Sequence, residues 1–184
     1  RSRVVLGETG LPIVVPQLDA QPAAVGVATL GGDPKPFLFS FPGRLRNIPV
    51  LDNAAAGRGL FSIRSERDGI VRRVPMVMQA QDTIMPALTF EMLRLVTNSS
   101  TILIRMDQAG IRSVAVPGLE MPTDRNGQVW VHFAPSDPAR YVSAVDVLEG
   151  RVPADRVSRR LVLVGTSAAG LLDLKTTPNN PSMP

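Results

Sequence analysis

The stretch from Leu161 to Pro178, LVLVGTSAAGLLDLKTTP, gathers hydroxyls, a carboxylate and two glycines that could do chemistry. An apolar run from Leu161 to Val164 ends on a turn of small residues, Gly165 to Gly170. Three catalytic readings of that turn can be weighed. The spacing of Gly165 and Gly170 suits a phosphate loop, but Leu171-Leu172 stands where such a loop needs a lysine and a hydroxyl residue. Without them nothing reaches the terminal phosphates or holds magnesium. Gly165-Thr166-Ser167-Ala168-Ala169 nearly spells a nucleophile elbow. That elbow needs a histidine later in the chain, and the one histidine, His132, comes earlier. An α/β hydrolase-like enzyme using Ser167 is therefore the alternative reading. Dinucleotide binding fails because G-x-G-x-x-G is absent.

What remains at the turn is binding. Asp173 lies within reach of folding back, so its carboxylate can accept from backbone N–H groups or from the Thr166 and Ser167 hydroxyls. Such a contact either staples the loop or lines a polar ligand pocket. Thr166, Ser167 and Asp173 are candidate ligand-binding residues on that second reading, with Arg72 as a fourth. For Arg72 and its neighbour Arg73 a salt bridge is the favoured role. Alternation along a strand predicts that one of the two pairs with a carboxylate while the other is solvated. His132, Trp130 and the Thr123-Asp124 pair read as surface, packing and turn residues respectively.

Composition narrows the classes. The 184 residues suit a single domain. There is no cysteine, which excludes disulfides and thiolate metal sites, and one histidine excludes a His-rich zinc site. No metal or cofactor is expected. The net charge of +4 comes from scattered arginines, with Lys35 and Lys175 the only lysines. Nucleic-acid binding calls for a basic stripe with exposed aromatics, and none is evident. No apolar run approaches the ~20 residues that span a bilayer. The start at Arg1 reads as the beginning of a fragment.

The elements that must position these residues alternate between strands and helices, with several hairpins. A continuous apolar run bounded by glycine predicts that Leu161 to Val164 is a buried central strand with the Gly165–Gly170 turn at its carboxyl end. Asp68-Gly69 predicts a β-hairpin joining a strand over Gly59 to Arg64 with one over Ile70 to Gln79. Pro75 implies an edge or a bulge there. A helix is expected from Pro86 to Asn98, its stripe formed by Leu88, Met92, Leu95 and Val96. Strands are expected at Val4 to Leu6, Val25 to Leu30, Phe37 to Ser40, Thr101 to Met106, Ile111 to Val116 and Val129 to Phe133. A short helix fits Pro49 to Ala56, and Ser143 with Asp146 spells a capping box for another. The fold class is α/β, a mixed β-sheet with packed helices.

Six segments in order resemble one family, the second type of CHASE domain, the cyclase/histidine-kinase-associated sensory extracellular domain. They are DGIVRRVP from Asp68, MPAL from Met85, MPTD from Met121, VHF from Val131, the stretch from Tyr141 to Gly150, and LVLVGTSAAGLLDLKTTP. The match is strongest over residues 57–178, within a single sensory domain fragment covering 1–184. The resemblance implies a non-catalytic sensor on the periplasmic or extracellular side of a bacterial inner membrane. Its partners would be an unknown small-molecule signal, transmembrane helices, and a cytoplasmic adenylate or diguanylate cyclase, histidine kinase or serine/threonine kinase. Family members open with a further strand, helix and strand before the segment matching Val4 to Gly7. Their absence implies an uncovered sheet edge and hence a homodimer.

Overall fold

The computed structural model describes residues 3–16, 25–135, 137–166 and 175–183. In chain order the strands and helices are β1 (Val5–Leu11), β2 (Gly26–Leu30), β3 (Ser40–Phe41), β4 (Gly43–Leu45), α1 (Pro49–Ala54) and β5 (Gly57–Leu60). There follow β6 (Arg73–Pro75), β7 (Val77–Ala80), β8 (Thr83–Pro86), α2 (Leu88–Val96), β9 (Thr101–Asp107), β10 (Gly110–Val116), β11 (Leu119–Pro122) and β12 (Gln128–Trp130). The last are α3 (Ala144–Leu148), β13 (Lys175–Thr177) and β14 (Asn180–Met183). The class is mixed α/β.

Two compact units divide the chain. The first comprises Arg1–Ser65 and Arg73–Val131, the second Glu66–Arg72 and His132–Pro184. In the first unit β1 is the middle of a three-stranded sheet, antiparallel to β4 and parallel to β5. A four-stranded sheet runs β11-β10-β9-β2, with β2 parallel to β9 and the rest antiparallel. A smaller sheet runs β3-β7-β8, and β12 pairs with β6. The core of this unit joins Leu60, Val77, Met78, Phe90, Ile102, Ile104, Ile111 and Val114. Aliphatic and methionine side chains fill most of it around the fully buried Phe90, in keeping with the low aromatic content.

Local chemistry accounts for much of this. Pro49 opens α1, where its missing N–H costs nothing. Gly110, at φ +132, turns β9 into β10. Asp124 caps the turn before β12: its Oδ1 accepts from the Asn126 and Gln128 N–H groups at 2.9 and 3.0 Å. Ile70 to Gln79 is interrupted at Met76: its N–H donates to the Gly127 carbonyl as the last rung of the β6–β12 pairing, and from Val77 the chain pairs with β8 instead. Pro75 marks that break, as its missing donor predicts.

Several expectations are corrected. Leu161 to Val164 is not a buried strand: the four residues have no regular structure and are exposed, Val164 to 91%. A doubly buried strand needs ladder partners on both edges, and among the described residues none pairs with this run. Asp68-Gly69 forms its tight turn, but the flanking runs do not pair with each other. β5 finds its partner in β1, and β6 finds its partner in β12. Helix α2 buries Phe90, Glu91 and Arg94 rather than the expected apolar stripe, leaving Val96 exposed. Ser143 precedes α3 without a side-chain cap bond, and Asp146 accepts from Arg151 at 2.9 Å instead of completing a capping box. The strand expected to run to Phe133 ends at Trp130.

Candidate functional site

In the second unit the segment Glu66–Arg72 folds on itself. The Gly69 N–H donates to the Glu66 carbonyl at 2.9 Å, and the Glu66 N–H donates to the Ile70 carbonyl at 3.0 Å. Gly69 sits at φ +81, which a side chain disfavours. The Asp68 carboxylate accepts from the Ile70 N–H at 3.0 Å. Arg72 then reaches back across the turn. Its Nη2 donates to Asp68 Oδ2 at 2.8 Å and its Nη1 to Glu66 Oε2 at 3.0 Å. The Arg72 guanidinium, helped by the Ile70 N–H, holds the Asp68 carboxyl below its usual range, and the same bonds push Arg72 up.

Beyond the turn, Ile70 forms a parallel bridge with Thr176, and the Val71 N–H donates to the Thr176 carbonyl at 2.8 Å. Thr176 of β13 therefore lies alongside Ile70 and Val71, the residues that lead out of the Asp68-Gly69 turn. Thr177 is buried there. Asn179 anchors the following turn by donating to the Phe133 carbonyl at 2.6 Å.

Of the four predicted ligand-binding residues, Arg72 makes two ion pairs, and Thr166 is exposed and without regular structure. Ser167 and Asp173 lie outside the described residues. The expectation that one of Arg72 and Arg73 is solvated is corrected. Arg73, in the first unit, pairs with Asp124 at 3.0 Å and lies 5.2 Å from the Trp130 ring centroid. Trp130 is exposed, so the guanidinium covers an otherwise open indole face. His132 is exposed as well.

Sequence reasoning missed the charged cluster inside the first unit. Glu8 on β1 is 1% exposed and meets Arg44 of β4, Nη1 to Oε2 at 3.3 Å. Asp52 of α1, equally buried, takes hydrogen bonds from Arg46 at 2.6 Å and from Arg58 of β5. Glu91 and Arg94 of α2 close on each other through two bonds of 2.7 Å. Burial acts to raise the Asp52 pKa, but the hydrogen bonds from Arg46 and Arg58 outweigh it and hold it below the usual range. Burial pushes Glu8 up and Arg44 down, each toward its neutral form. A partial signal was available in the chain: Glu8 stands just past the short strand run that starts at Val4, and Arg44 and Arg46 are two residues apart on either side of Leu45.

These arrangements are electrostatic and structural. Among the described residues no three His, Cys, Asp or Glu side chains are grouped to hold a metal ion. No helix of the described residues is long and apolar enough to cross a membrane. No curated protein and no solved structure gives a significant match. The family model of the CHASE2 domain matches residues 9–184. The turn DGIVRRVP and the segment ending in KTTP, two of the pieces that carry the resemblance, meet in the Ile70–Thr176 bridge. The chain belongs to the CHASE2 family of sensory extracellular domains.

Proposed function

We propose that this domain is the extracytoplasmic, non-catalytic sensing module of a bacterial transmembrane receptor whose cytoplasmic output is a cyclase or a kinase. The observation that carries the reading is the CHASE2 match across residues 9–184. The domain receives a small-molecule signal, and the receptor's transmembrane helices pass the change to the output domain. A ligand does this only by binding two states of the domain with different affinity.

The ligand pocket in this reading is the turn after Val164, where Thr166, Ser167 and Asp173 present two hydroxyls and a carboxylate. Arg72 joins this reading as a positioning residue: its ion pairs with Glu66 and Asp68 brace the turn whose Ile70 bridges Thr176. Reporter fusions test the placement: alkaline phosphatase joined after residue 184 of the membrane-embedded receptor is active and a cytoplasmic fluorescent reporter is dark. The reverse pattern overturns it. Asp173→Ala tests the pocket. Near-normal stability with loss of the thermal shift given by a hit from a small-molecule screen supports it. Lower stability with the shift retained means that Asp173 only staples the loop.

A further inference from the structure

Glu8 is the one carboxylate of the buried cluster that no donor satisfies. Its side chain is fully shielded from water, and neither oxygen has a hydrogen-bond partner. The neighbouring cations are engaged elsewhere. Arg46 and Arg58 both donate to Asp52, and Arg94 donates to Glu91. Arg44 approaches Glu8 at 3.3 Å, yet its Nη1 donates to the Met85 sulfur at 2.8 Å. An ionised carboxylate sealed from water without hydrogen bonds is costly, and a single long ion pair repays little of that cost.

We propose that Glu8 is a proton-binding site at the centre of the β4-β1-β5 sheet, where burial without hydrogen-bond partners favours the protonated acid in the closed sheet and water admitted by a movement of β4 or α1 favours the anion. Glu8 lies on β1 at the register of Leu60 of β5. The charged groups around it are Arg44 and Arg46 from β4 and its exit, Asp52 from α1, and Arg58 from β5. On α2, which also packs on β1, Glu91 and Arg94 neutralise each other. Asp52 adds a repulsion that disfavours the Glu8 anion, while the three arginines favour it. Burial outweighs them and raises the Glu8 pKa above its ordinary 4.5.

The sign follows from linkage. A group whose folded pKa is raised stabilises the closed state fully at pH below the ordinary value, and that contribution is lost as pH rises through the folded pKa. Protons therefore hold the sheet closed, and a rise in pH loosens it. The proton becomes an input signal only if the domain is the sensor proposed above, but the site itself can be tested on the 184-residue chain alone.

Two measurements decide the matter. The carboxyl carbon of Glu8, assigned through bonds by NMR, is titrated in the native protein. A midpoint above 4.5 is expected, and a midpoint at or below it overturns the proposal. Melting temperatures of native protein and Glu8→Gln are compared across pH. The amide imitates the protonated acid, so the two curves should superpose at acid pH. The variant should gain about 3 °C over native protein above the midpoint. A variant less stable than native protein by the same amount at every pH would show an ordinary charged partner of Arg44. If Glu8→Gln does not fold, the titration of the native protein still decides. An unmoved reporter topology with a failed Glu8 titration rejects the proton site and leaves the sensory reading standing.

Discussion

The backbone N–H of Val71 donates to the carbonyl of Thr176 across 2.8 Å, joining segments far apart in sequence. Ile70 and Val71, just past the Asp68-Gly69 turn, are thereby held beside Thr176 of β13. The bridge, the ion pairs of Arg72 and the burial of Val71 and Thr177 all hold this part of the second unit. The turn at Asp68-Gly69 sets the approach of these residues, and the first two predictions concern its geometry.

Gly69→Val should destabilise the chain by about 1 kcal/mol or more, since a β-branched side chain tolerates φ +81 poorly. A Cβ at this position would meet nothing within 4 Å, so the loss reports chiefly backbone strain. Gly69→Asn, which accepts the left-handed region more readily, should lose less. Equal melting curves for native protein and the valine variant would count against the turn.

Arg72→Ala should lower stability slightly, and the difference should shrink further in high salt. Its pairs with Glu66 and Asp68 are partly open to water, where such contacts are weak and screened. Asp68 should then titrate closer to its ordinary 3.8, because the Arg72 hydrogen bonds are the leading cause of its depression. NMR titration of Asp68 in the variant checks this. An unchanged Asp68 midpoint would mean that the Ile70 N–H, not Arg72, sets it.

Two glycines of β5 make a graded pair. A Cβ on Gly59 would sit 2.7 Å from the Leu88 backbone nitrogen and 3.0 Å from the Ala87 carbonyl carbon, and neither backbone atom can move aside. A Cβ on Gly57 would strike the Glu91 carboxylate, the end of a side chain, though one fixed by Arg94. Gly59→Ala should cost roughly 3 kcal/mol and Gly57→Ala somewhat less, within the range for overpacking. Urea denaturation of both variants reads the order, and a reversed order would mean that the Glu91–Arg94 pair is the stiffer neighbour.

Much of the first unit was legible from spacing. The β9–β10 hairpin, the turn ending at Gly127, α1 and α2 fall where glycine, proline and apolar periodicity put them. Pairing partners were not legible. Asp68-Gly69 specifies a reversal of the chain over four residues, but β5 is drawn to β1 by long-range contacts that no local signal encodes. Leu161 to Val164 carries the composition of a buried strand, yet burial is a property of partners, and none pairs with it among the described residues. The α2 face was misread for a related reason: periodicity marks apolar positions, whereas Glu91 and Arg94 are buried because they satisfy each other. Of the candidate site, Arg72 was legible as a salt-bridge residue, but its partners required the turn's geometry.

The buried Asp52 yields the last prediction, which concerns acid. Two arginines from different elements, Arg46 and Arg58, converge on its carboxylate, and Arg58 also donates to its backbone carbonyl. Removing the charge leaves two guanidinium groups converging on one point with no anion to neutralise them. Asp52→Asn should therefore cost roughly 3 kcal/mol, the low end for a broken buried pair, since both arginines keep some contact with water. The pH dependence has a definite sign. The folded pKa of Asp52 lies below its ordinary 3.8, so its stabilisation is present above that value and is lost as pH falls through the folded one. The native protein should lose stability in that acid window and the asparagine variant should not share that part of the slope. Denaturant midpoints measured for both proteins from neutral pH down into this window separate the outcomes. Parallel curves would mean that Asp52 ionises as freely folded as unfolded, and that the two arginines hold α1 by packing instead of charge.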